Sequence, residues 1–212
     1  MRPNGVLFDM DGCLVNSEVI YVHAWQTLFE RKGIPISREE IESWKGLGWK
    51  RISTQLIERG YAPQEVENLY HERDAIFYEK FWNNELQYMP GILPFLDYLD
   101  EEGIPYGVAT STYREKASKI LEHMKLLPRM QFVVCGDDVK DTKPAPDIYL
   151  EAIAQLGIPR EEVYVFEDSK NGILAARNAK LKVIQVLNEE DYEELDGVEY
   201  RIKDYKEMLG KW

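Results

Sequence analysis

Four sets of polar residues each follow a short apolar run in this sequence, and together they hold the groups that phosphoryl transfer requires. The sets are Asp9 with Asp11, Thr110-Ser111-Thr112, Lys143, and Glu167-Asp168-Ser169. One carboxylate can attack phosphorus, while a second carboxyl protonates the departing alkoxide and then activates water. Hydroxyls, backbone N–H groups and an ammonium can hold the equatorial oxygens of the phosphate. Taken singly, each set has an ordinary structural explanation, such as a turn or a helix cap.

A cluster of this kind needs positive charge before it can bind a phosphate. Asp9, Asp11, Glu167 and Asp168 would repel one another and the phosphate if nothing offset their charge. Lys143 supplies one positive charge, and a hard divalent cation with oxygen ligands would supply the rest. The sequence therefore predicts Mg²⁺ as the cofactor.

Strands and helices alternate along most of the chain, and this pattern would bring the four sets together. Strand-like apolar runs occur at residues 6–8, 106–110, 132–135, 163–166 and 183–186. Helix-like segments lie at residues 92–102, 114–125, 147–156 and 169–179. The alternation predicts an α/β fold with a Rossmann-like parallel sheet core covered by helices on both faces. Because functional groups gather at the carboxyl ends of parallel strands, we expect the four sets to converge there.

A block with helical periodicity and no strand-like run lies between the first strand and the rest of this pattern. Ser17 and Pro63 are typical helix starts within it. We expect an α-helical cap domain at residues 16–86, inserted into a catalytic core made of residues 1–15 and 87–212.

Four ordered motifs give the sequence a resemblance to a known family. They are Phe8-Asp9-Met10-Asp11-Gly12, Ala109-Thr110-Ser111-Thr112, Lys143-Pro144-Ala145-Pro146-Asp147 and Phe166-Glu167-Asp168-Ser169. In this order they resemble the haloacid dehalogenase superfamily, and four motifs together are far more specific than any one. More narrowly, the chain resembles the β-phosphoglucomutase-like phosphatase subfamily, in which a helical cap follows the first strand.

The resemblance implies a catalytic or metal-binding role for each carboxylate. Asp9 would be the nucleophile, and Asp11 would be the general acid and base. A carboxylate oxygen of Asp9, the backbone carbonyl of Asp11 and Asp168 would hold Mg²⁺, with Glu167 close by. The true dehalogenases of the superfamily lack the second aspartate and the metal, so Asp11 and the Glu167-Asp168 pair argue against that branch.

The same resemblance implies three residues that bind the phosphate. Thr110 would bind it through its hydroxyl and Ser111 through its backbone amide. Lys143 would balance its charge.

The cap departs from the true β-phosphoglucomutases at two positions. Those enzymes carry a His early in the first cap helix and an Arg in the cap specificity loop, where this chain has Tyr21 and Trp49. Lys45 of that loop is retained, so Lys45 and Trp49 are the expected substrate contacts from the cap. His23 lies two residues after Tyr21, a rotation of roughly 200° around a helix, and is expected to be an ordinary helix residue. A local shift of the alignment would instead bring His23 or Arg51 into the site.

The predicted cap is also rich in tryptophan. Trp25 and Trp82 are expected to fill its apolar core. Trp44 and Trp49 bracket the loop that contains Lys45, and one of them could stack on the apolar face of a sugar. For Trp49, a core position and a substrate contact remain equal alternatives.

Composition limits the partners of the protein. With a formal net charge of -12, nucleic acid and anionic membranes are poor partners. The sequence shows no run of membrane-spanning length and no secretory signal pattern, and its two cysteines form no CxxC pair. The acidic stretch at residues 189–199 is expected to lie on the surface. We expect a cytoplasmic monomer whose partner is a small phosphorylated metabolite.

Three functions are compatible with the motifs. The favoured one is a Mg²⁺-dependent phosphatase that hydrolyses a small phosphorylated metabolite, a sugar phosphate in particular, through an aspartyl-phosphate intermediate. The second is a β-phosphoglucomutase, which would return the phosphoryl group to a second sugar hydroxyl. The third is a binding or regulatory protein without catalysis, and the retention of Asp9, Asp11, Lys143 and Asp168 argues against it. The fold does not decide among these functions.

Overall fold

The computed structural model describes residues 2–83, 85–187 and 195–212. These residues form the strands β1 (Gly5–Phe8), β2 (Tyr106–Ala109), β3 (Val133–Val134), β4 (Val163–Glu167), β5 (Lys182–Val186) and β6 (Tyr200–Ile202). They also form the helices α1 (Ser17–Lys32), α2 (Arg38–Glu42), α3 (Trp49–Glu58), α4 (Pro63–Trp82), α5 (Ile92–Glu101), α6 (Arg114–His123), α7 (Asp147–Leu156) and α8 (Lys170–Asn178). Short 3₁₀ turns lie at Leu127–Arg129, Arg160–Glu162 and Tyr205–Met208.

The strands form one sheet in the order β3-β2-β1-β4-β5-β6, and all of the pairings are parallel. The chain builds one half of the sheet from β1 to β3 and the other half from β4 to β6. The order therefore reverses between β1 and β4, and ligands bind doubly wound sheets at the carboxyl ends of the strands at this point. The predicted fold class is confirmed.

Strand β1 lies in the middle of the sheet and is buried on both faces, which explains its short, wholly apolar sequence. Successive side chains of a strand point to opposite faces. Val6 and Phe8 accordingly pack into one hydrophobic cluster, and Leu7 packs into the other. The ring of Phe8 stacks on Phe166 of the adjacent strand β4, with their centroids 5.2 Å apart. This packing fixes the point at which the chain leaves β1.

Helices α1 to α4 separate β1 from the rest of the α/β pattern, and local sequence signals set their ends. The Ser37 hydroxyl accepts a hydrogen bond from the Glu40 N–H at the start of α2. Helix α4 begins at Pro63, where the missing N–H has no cost. Helix α1 ends at Gly33, whose φ of 63° is left-handed.

Two neighbouring stretches of chain join this helical block to the sheet. The Met89 N–H donates to the Leu14 carbonyl over 3.0 Å, and Val15 forms an antiparallel bridge with Tyr88. The Gln87 N–H donates to the Asn16 side chain over 2.7 Å. We therefore propose that residues 16–86 form the cap domain and that residues 1–15 and 87–212 form the core.

Some elements differ from the sequence-based expectations. Strand β6 is not predicted, because Tyr200 and Arg201 are exposed and only Ile202 is buried. Trp82 is 63% exposed, so its predicted core position is wrong. Of the acidic stretch at 189–199, residues 189–194 lie outside the described residues.

In the part of the chain that is described, every helix is too short or too polar to cross a membrane. The monomeric state and the cytoplasmic location stay predictions.

Candidate active site

Asp9 and Asp11 lie on the loop that leaves β1 at the carboxyl edge of the sheet. The Asp9 N–H donates to the Phe166 carbonyl over 3.0 Å, so the loop begins against β4. Asp9 is only 4% exposed and Asp11 only 6% exposed. Gly12 follows with a φ of 81°, and a Cβ placed on it would lie 1.9 Å from a carboxylate oxygen of Asp168. Glycine is therefore required where this loop approaches Asp168.

A fully buried lysine links the first motif to the fourth. Lys143 Nζ donates to Asp9 Oδ1 and, over 2.6 Å, to Glu167 Oε1. The Tyr149 hydroxyl donates to the same Glu167 oxygen over 2.7 Å. The other Glu167 oxygen accepts from the N–H groups of the next two residues, over 3.1 and 3.2 Å. Because both of its oxygens are engaged, Glu167 orients Lys143 toward Asp9.

The close approach of Glu167 to helix α8 depends on another glycine. A Cβ placed on Gly172 would lie 1.7 Å from Glu167 Oε1. Ser169 is the N-cap residue of α8 and fixes its first turn, since the Ser169 hydroxyl accepts a hydrogen bond from the Gly172 N–H over 3.0 Å. The fourth motif is thus held between the end of β4 and the start of α8.

Burial and neighbouring charges shift the pKa values of this cluster. Burial alone would lower the pKa of Lys143, but the charges of Asp9 and Glu167 outweigh it and raise that pKa. Burial raises the pKa of Asp9, and Glu167 contributes to the rise although Lys143 opposes it. Burial likewise raises the pKa of Asp168. One ammonium therefore does not offset all the buried negative charge, and such a site favours a divalent cation.

The donor atoms present fit a hard metal ion. Among the residues that the structure describes, Asp9, Cys13 and Asp168 place ligand atoms within 4.8 Å of one another. Two of these atoms are carboxylate oxygens, which are the ligands Mg²⁺ prefers. Burial raises the pKa of the Cys13 thiol, which therefore stays protonated and is a poor ligand for such an ion. Glu167 is not part of this group.

Three hydroxyl groups hold the carboxylate of Asp11. The Ser17 hydroxyl donates to one oxygen over 2.5 Å. The hydroxyls of Thr112 and Thr110 donate to the other oxygen over 2.8 and 3.3 Å. The motifs point to neither Ser17 nor Thr112 as a site residue. Ser17 has the signal of a helix start, and only the position of Thr112 within the second motif could have marked it.

Thr110 and Ser111 follow β2 and are buried beside the first motif. Thr110 Oγ1 accepts from the Thr112 N–H over 3.1 Å, which orients its hydroxyl toward Asp11. The Ser111 hydroxyl donates to the Gly46 carbonyl over 3.0 Å. Because the cap engages this hydroxyl, the backbone N–H of Ser111 stays the predicted phosphate ligand.

The cap loop at residues 45–48 contacts the core beside the first and fourth motifs. The Gly46 N–H donates to Glu18 Oε1 over 3.1 Å. Gly46 has a φ of 70°, and a Cβ on it would lie 2.2 Å from Ser169 Oγ. Asn171, at the start of α8, donates to the Lys45 carbonyl over 3.0 Å. The cap is therefore closed over the site.

A cavity of about 70 Å³ lies between the cap and the core. Asp9 and Asp11 line its core side, and Lys45, Trp49 and Arg73 line its cap side. Ligand sites commonly measure about 300–1,000 Å³, so the closed cap leaves room for a small molecule only.

The structure places both predicted cap contacts, Lys45 and Trp49, on this cavity. The Trp49 ring lies 4.5 Å from the Tyr70 ring and 6.4 Å from the Trp25 ring. Trp49 is thus packed against the cap and also available to a ligand, so the two alternatives for it are compatible. The expected burial of Trp25 is confirmed.

The alternative alignment of the cap finds no support in the geometry. Tyr21 lines the cavity and stacks on Phe77, with their centroids 4.4 Å apart. His23 is exposed, and its ring lies 3.4 Å from the Thr27 hydroxyl, as expected for an ordinary helix residue. Arg51 donates to the Thr142 carbonyl over 3.2 Å and is not one of the described residues that line the cavity.

The doubly wound sheet and the buried carboxylate–lysine cluster at its carboxyl edge define an α/β protein with the layout of an enzyme active site. Residues 6–186 match the model of a family described as haloacid dehalogenase-like hydrolase. The chain belongs to this family, and the resemblance inferred from the four motifs is confirmed.

Individual relatives agree with this assignment. The chain is 30% identical over 208 residues to the phosphorylated carbohydrates phosphatase of Thermotoga maritima, covering 96% of this chain and 89% of the relative. It is 31% identical over 208 residues to the validoxylamine A 7'-phosphate phosphatase of Streptomyces hygroscopicus subsp. limoneus, covering 95% and 94%. The predicted enzyme class, a phosphoric monoester hydrolase, is confirmed by the family and these relatives.

A solved structure extends the comparison to the fold. The chain is similar to a crystal structure of β-phosphoglucomutase from Clostridium difficile, with a TM-score of 0.83 and 21% identity over 100% of this chain and 95% of that chain. At this identity the likeness shows the fold alone, and it does not assign mutase activity.

Proposed function

We propose that the protein is a Mg²⁺-dependent phosphatase that hydrolyses a small phosphorylated metabolite, a sugar phosphate in particular, through an aspartyl-phosphate on Asp9. The observation that carries the proposal is the buried contact of Lys143 with Asp9, with a ligand atom of Asp168 within 4.8 Å of one on Asp9. The names of the two phosphatase relatives support the substrate class.

In the first half of the proposed reaction, the Asp9 carboxylate attacks the substrate phosphorus. A bond forms between phosphorus and an Asp9 oxygen, and the ester P–O bond breaks. The departing alkoxide takes the proton of Asp11. Thr110, Ser111 and Lys143 would hold the equatorial oxygens and offset their charge.

In the second half, Asp11 acts as a base. Its carboxylate removes a proton from water, and the water oxygen attacks the phosphorus of the aspartyl-phosphate. The bond to Asp9 breaks, which releases inorganic phosphate and restores the carboxylate. The hydroxyls of Ser17 and Thr112 hold Asp11 in place for both proton transfers.

Asp9, Asp168 and the backbone carbonyl of Asp11 are the proposed Mg²⁺ ligands. The bound ion would offset the negative charge of the carboxylates and of the phosphate. Because the protein engages both oxygens of Glu167, we expect this residue to orient Lys143 rather than to bind the ion directly.

The alternative, a β-phosphoglucomutase, must protect its aspartyl-phosphate from water. Tyr21 and Trp49 line the cavity here, in place of the His and Arg of those enzymes. Asp11 is already fixed by Ser17 in the closed structure, so it is ready to activate water when the leaving group departs. These positions favour hydrolysis.

The test of the phosphatase proposal is phosphate release from sugar phosphates, phosphoglycolate and nucleotides. We expect release with Mg²⁺, none with excess chelator, and little with Ca²⁺, which prefers more ligands and longer bonds. Full activity in excess chelator would contradict the metal requirement. Lack of release from every compound would overturn the proposal.

A second assay separates the phosphatase from the mutase. The enzyme is incubated with β-glucose 1-phosphate and a trace of the 1,6-bisphosphate, and both products are followed. Glucose 6-phosphate that accumulates with little free phosphate would establish the mutase. Phosphate released without isomerisation would support the phosphatase.

A further inference from the structure

Arg73, in helix α4, is a buried cation on the cap side of the cavity. The residue is only 6% exposed. The guanidinium carbon lies 4.9 Å from the centre of the Trp25 ring and 5.1 Å from the centres of the Tyr21 and Tyr70 rings. These three residues form an aromatic cage that holds the guanidinium by cation–π contacts.

The hydrogen-bonding capacity of Arg73 is poorly used by the protein. An Asp74 oxygen lies 2.9 Å from Nε, but the buried Nε makes no hydrogen bond. A guanidinium has five N–H donors, and burial of unpaired donors costs free energy. A buried cation with unused donors beside a cavity is suited to bind an anion that enters the cavity.

A second cation lies next to Arg73. Lys116 of α6 is 5% exposed, lines the same cavity, and donates to the same Asp74 oxygen over 2.6 Å. One carboxylate therefore serves two cations. Burial and then the charge of Arg73 lower the pKa of Lys116 to about 7, although Asp74 opposes the shift.

The tyrosines of the aromatic cage add neutral donors. Burial raises the pKa values of Tyr21 and Tyr70, so their hydroxyls keep their protons. Both residues line the cavity. The cavity is thus lined by Arg73 and two tyrosines from the cap and by Lys116 from the core helix α6, in addition to the carboxylates Asp9 and Asp11.

We infer that Arg73 and Lys116 form a distal anion site, which selects substrates that carry a second negative group at the end away from the scissile phosphate ester. This inference rests on the proposed function, because it assumes that the scissile phosphate lies at Asp9. The second group is a carboxylate or a phosphate. Arg73 enters the cavity from α4, whereas the cap loop has Trp49 where mutases have their Arg.

A matched pair of ligands tests this site. 3-Phosphoglycerate and glycerol 3-phosphate differ only in a carboxylate that replaces a hydroxymethyl group. Propane-1,3-diol bisphosphate carries a phosphate as its second anion. Binding of each is titrated with Mg²⁺ to the Asp9→Asn protein, which prevents turnover, and is followed by tryptophan fluorescence because Trp25 is part of the cage.

We expect 3-phosphoglycerate or the bisphosphate to bind about 10- to 100-fold more tightly than glycerol 3-phosphate, as a charge-assisted contact predicts. A preference for the first identifies a carboxylate as the second group, and a preference for the second identifies a phosphate. Adding Arg73→Met should reduce the preference to about one- to threefold, and Arg73→Lys should retain part of it. Arg31→Met, at an exposed position of α1, is the matched control and should leave the preference unchanged.

The ratio of the two affinities separates recognition from folding, because a loss of folded protein weakens the binding of all three ligands equally. If neither dianionic ligand binds more tightly than glycerol 3-phosphate, or if the preference survives Arg73→Met, the inference is overturned. Phosphate release by the wild-type enzyme is measured separately. A preference without any release would uphold the distal site and refute the phosphatase.

Discussion

The core end of the cavity and its cap end both bury charged side chains, but the charges are satisfied in different ways. At the core end, Lys143 contacts Asp9 and Glu167, and both oxygens of Glu167 accept hydrogen bonds from the protein. At the cap end, Arg73 is surrounded by aromatic rings, and its Nε makes no hydrogen bond.

This difference suggests a division between chemistry and selection. Electrostatic catalysis depends on groups that are already in position when the substrate arrives, as Lys143 is. Selection depends on a penalty for the wrong ligand, and a buried cation whose carboxylate partner is shared with a second cation provides one. The charged groups at the core end are thus in position before the substrate binds. At the cap end, Arg73 gains a further partner when the substrate binds.

The largest expected effect comes from breaking the core end at the nucleophile. Asp9→Asn replaces a carboxylate with a far weaker nucleophile, so kcat should fall by about 10⁴-fold or more, as in other enzymes that lose a covalent nucleophile. The phosphoenzyme, an acyl phosphate that base or hydroxylamine cleaves, should disappear from acid-quenched samples. Asp196→Asn, at an exposed position, is the control and should retain activity. A wild-type rate in Asp9→Asn would remove this residue from the mechanism.

Removing the lysine tests whether the core end also stabilises the fold. Lys143→Met leaves the buried carboxylates of Asp9 and Glu167 without their cation. The free energy of unfolding should fall by about 3–5 kcal/mol, measured by urea denaturation. Lys140→Met, in the same loop but exposed, should change it by less than about 0.5 kcal/mol. A similarly small change in Lys143→Met would show that the contacts of Lys143 with Asp9 and Glu167 do not stabilise the fold.

Glu18 lines the cavity between the core end and the cap end. Its burial predicts that the free energy of unfolding depends on pH. Burial raises the pKa of Glu18 from 4.5 to about 8, and the nearby charge of Asp11 adds to the shift. Because the folded pKa is the higher one, the stability that protonated Glu18 contributes is complete below about pH 4.5 and is lost as the pH rises through about 8.

Glu18→Gln keeps a neutral group and should not lose this stability. The free energy of unfolding of this variant should exceed that of the wild type by almost nothing at pH 5 and by on the order of 2 kcal/mol at pH 9. The value stays below the full shift because water relaxes around the ionised carboxylate. Urea denaturation in the presence of chelator measures it, and Glu39→Gln on the exposed face of α2 is the control. An advantage that falls with pH would contradict the assigned shift.

The smallest effect is expected at the edge of the cap. Trp82→Ser should lower the free energy of unfolding by less than about 1 kcal/mol, because Trp82 is 63% exposed. Trp25→Ala should lower it by about 3–5 kcal/mol, since Trp25 is buried and holds the cage. Thermal denaturation compares the two variants, and equal losses would show that exposure does not distinguish them.

The core end could be predicted from the sequence because its residues follow strands. Asp9, Thr110 and Glu167 each end an apolar run, and the parallel topology brings such positions to one edge. Residue type then indicates the chemistry. The sequence does not reveal the role of the Ser17 hydroxyl, because the residue also starts a helix and only the fold brings it to Asp11.

The cap end could not be predicted in the same way, because a charged residue in a polar helix is normally exposed. Arg73 does carry one signal: it lies four residues after Leu69 and four before Phe77, and both are buried. A charge within an apolar stripe of this kind indicates a buried cation. The error at Trp82 has a related cause, because it ends the helix, where neighbouring elements give less cover.

The junction between cap and core has a consequence for how such enzymes diversify. Because the Met89 N–H bonds to the Leu14 carbonyl, the chain leaves the sheet and returns to it at almost the same place. Domain insertion is tolerated where the two ends of the inserted segment lie close together. A whole helical module can therefore be exchanged at this point for another of different length, while the strand order and the nucleophile loop stay as they are. New specificities can then arise by recombination of modules as well as by point substitution.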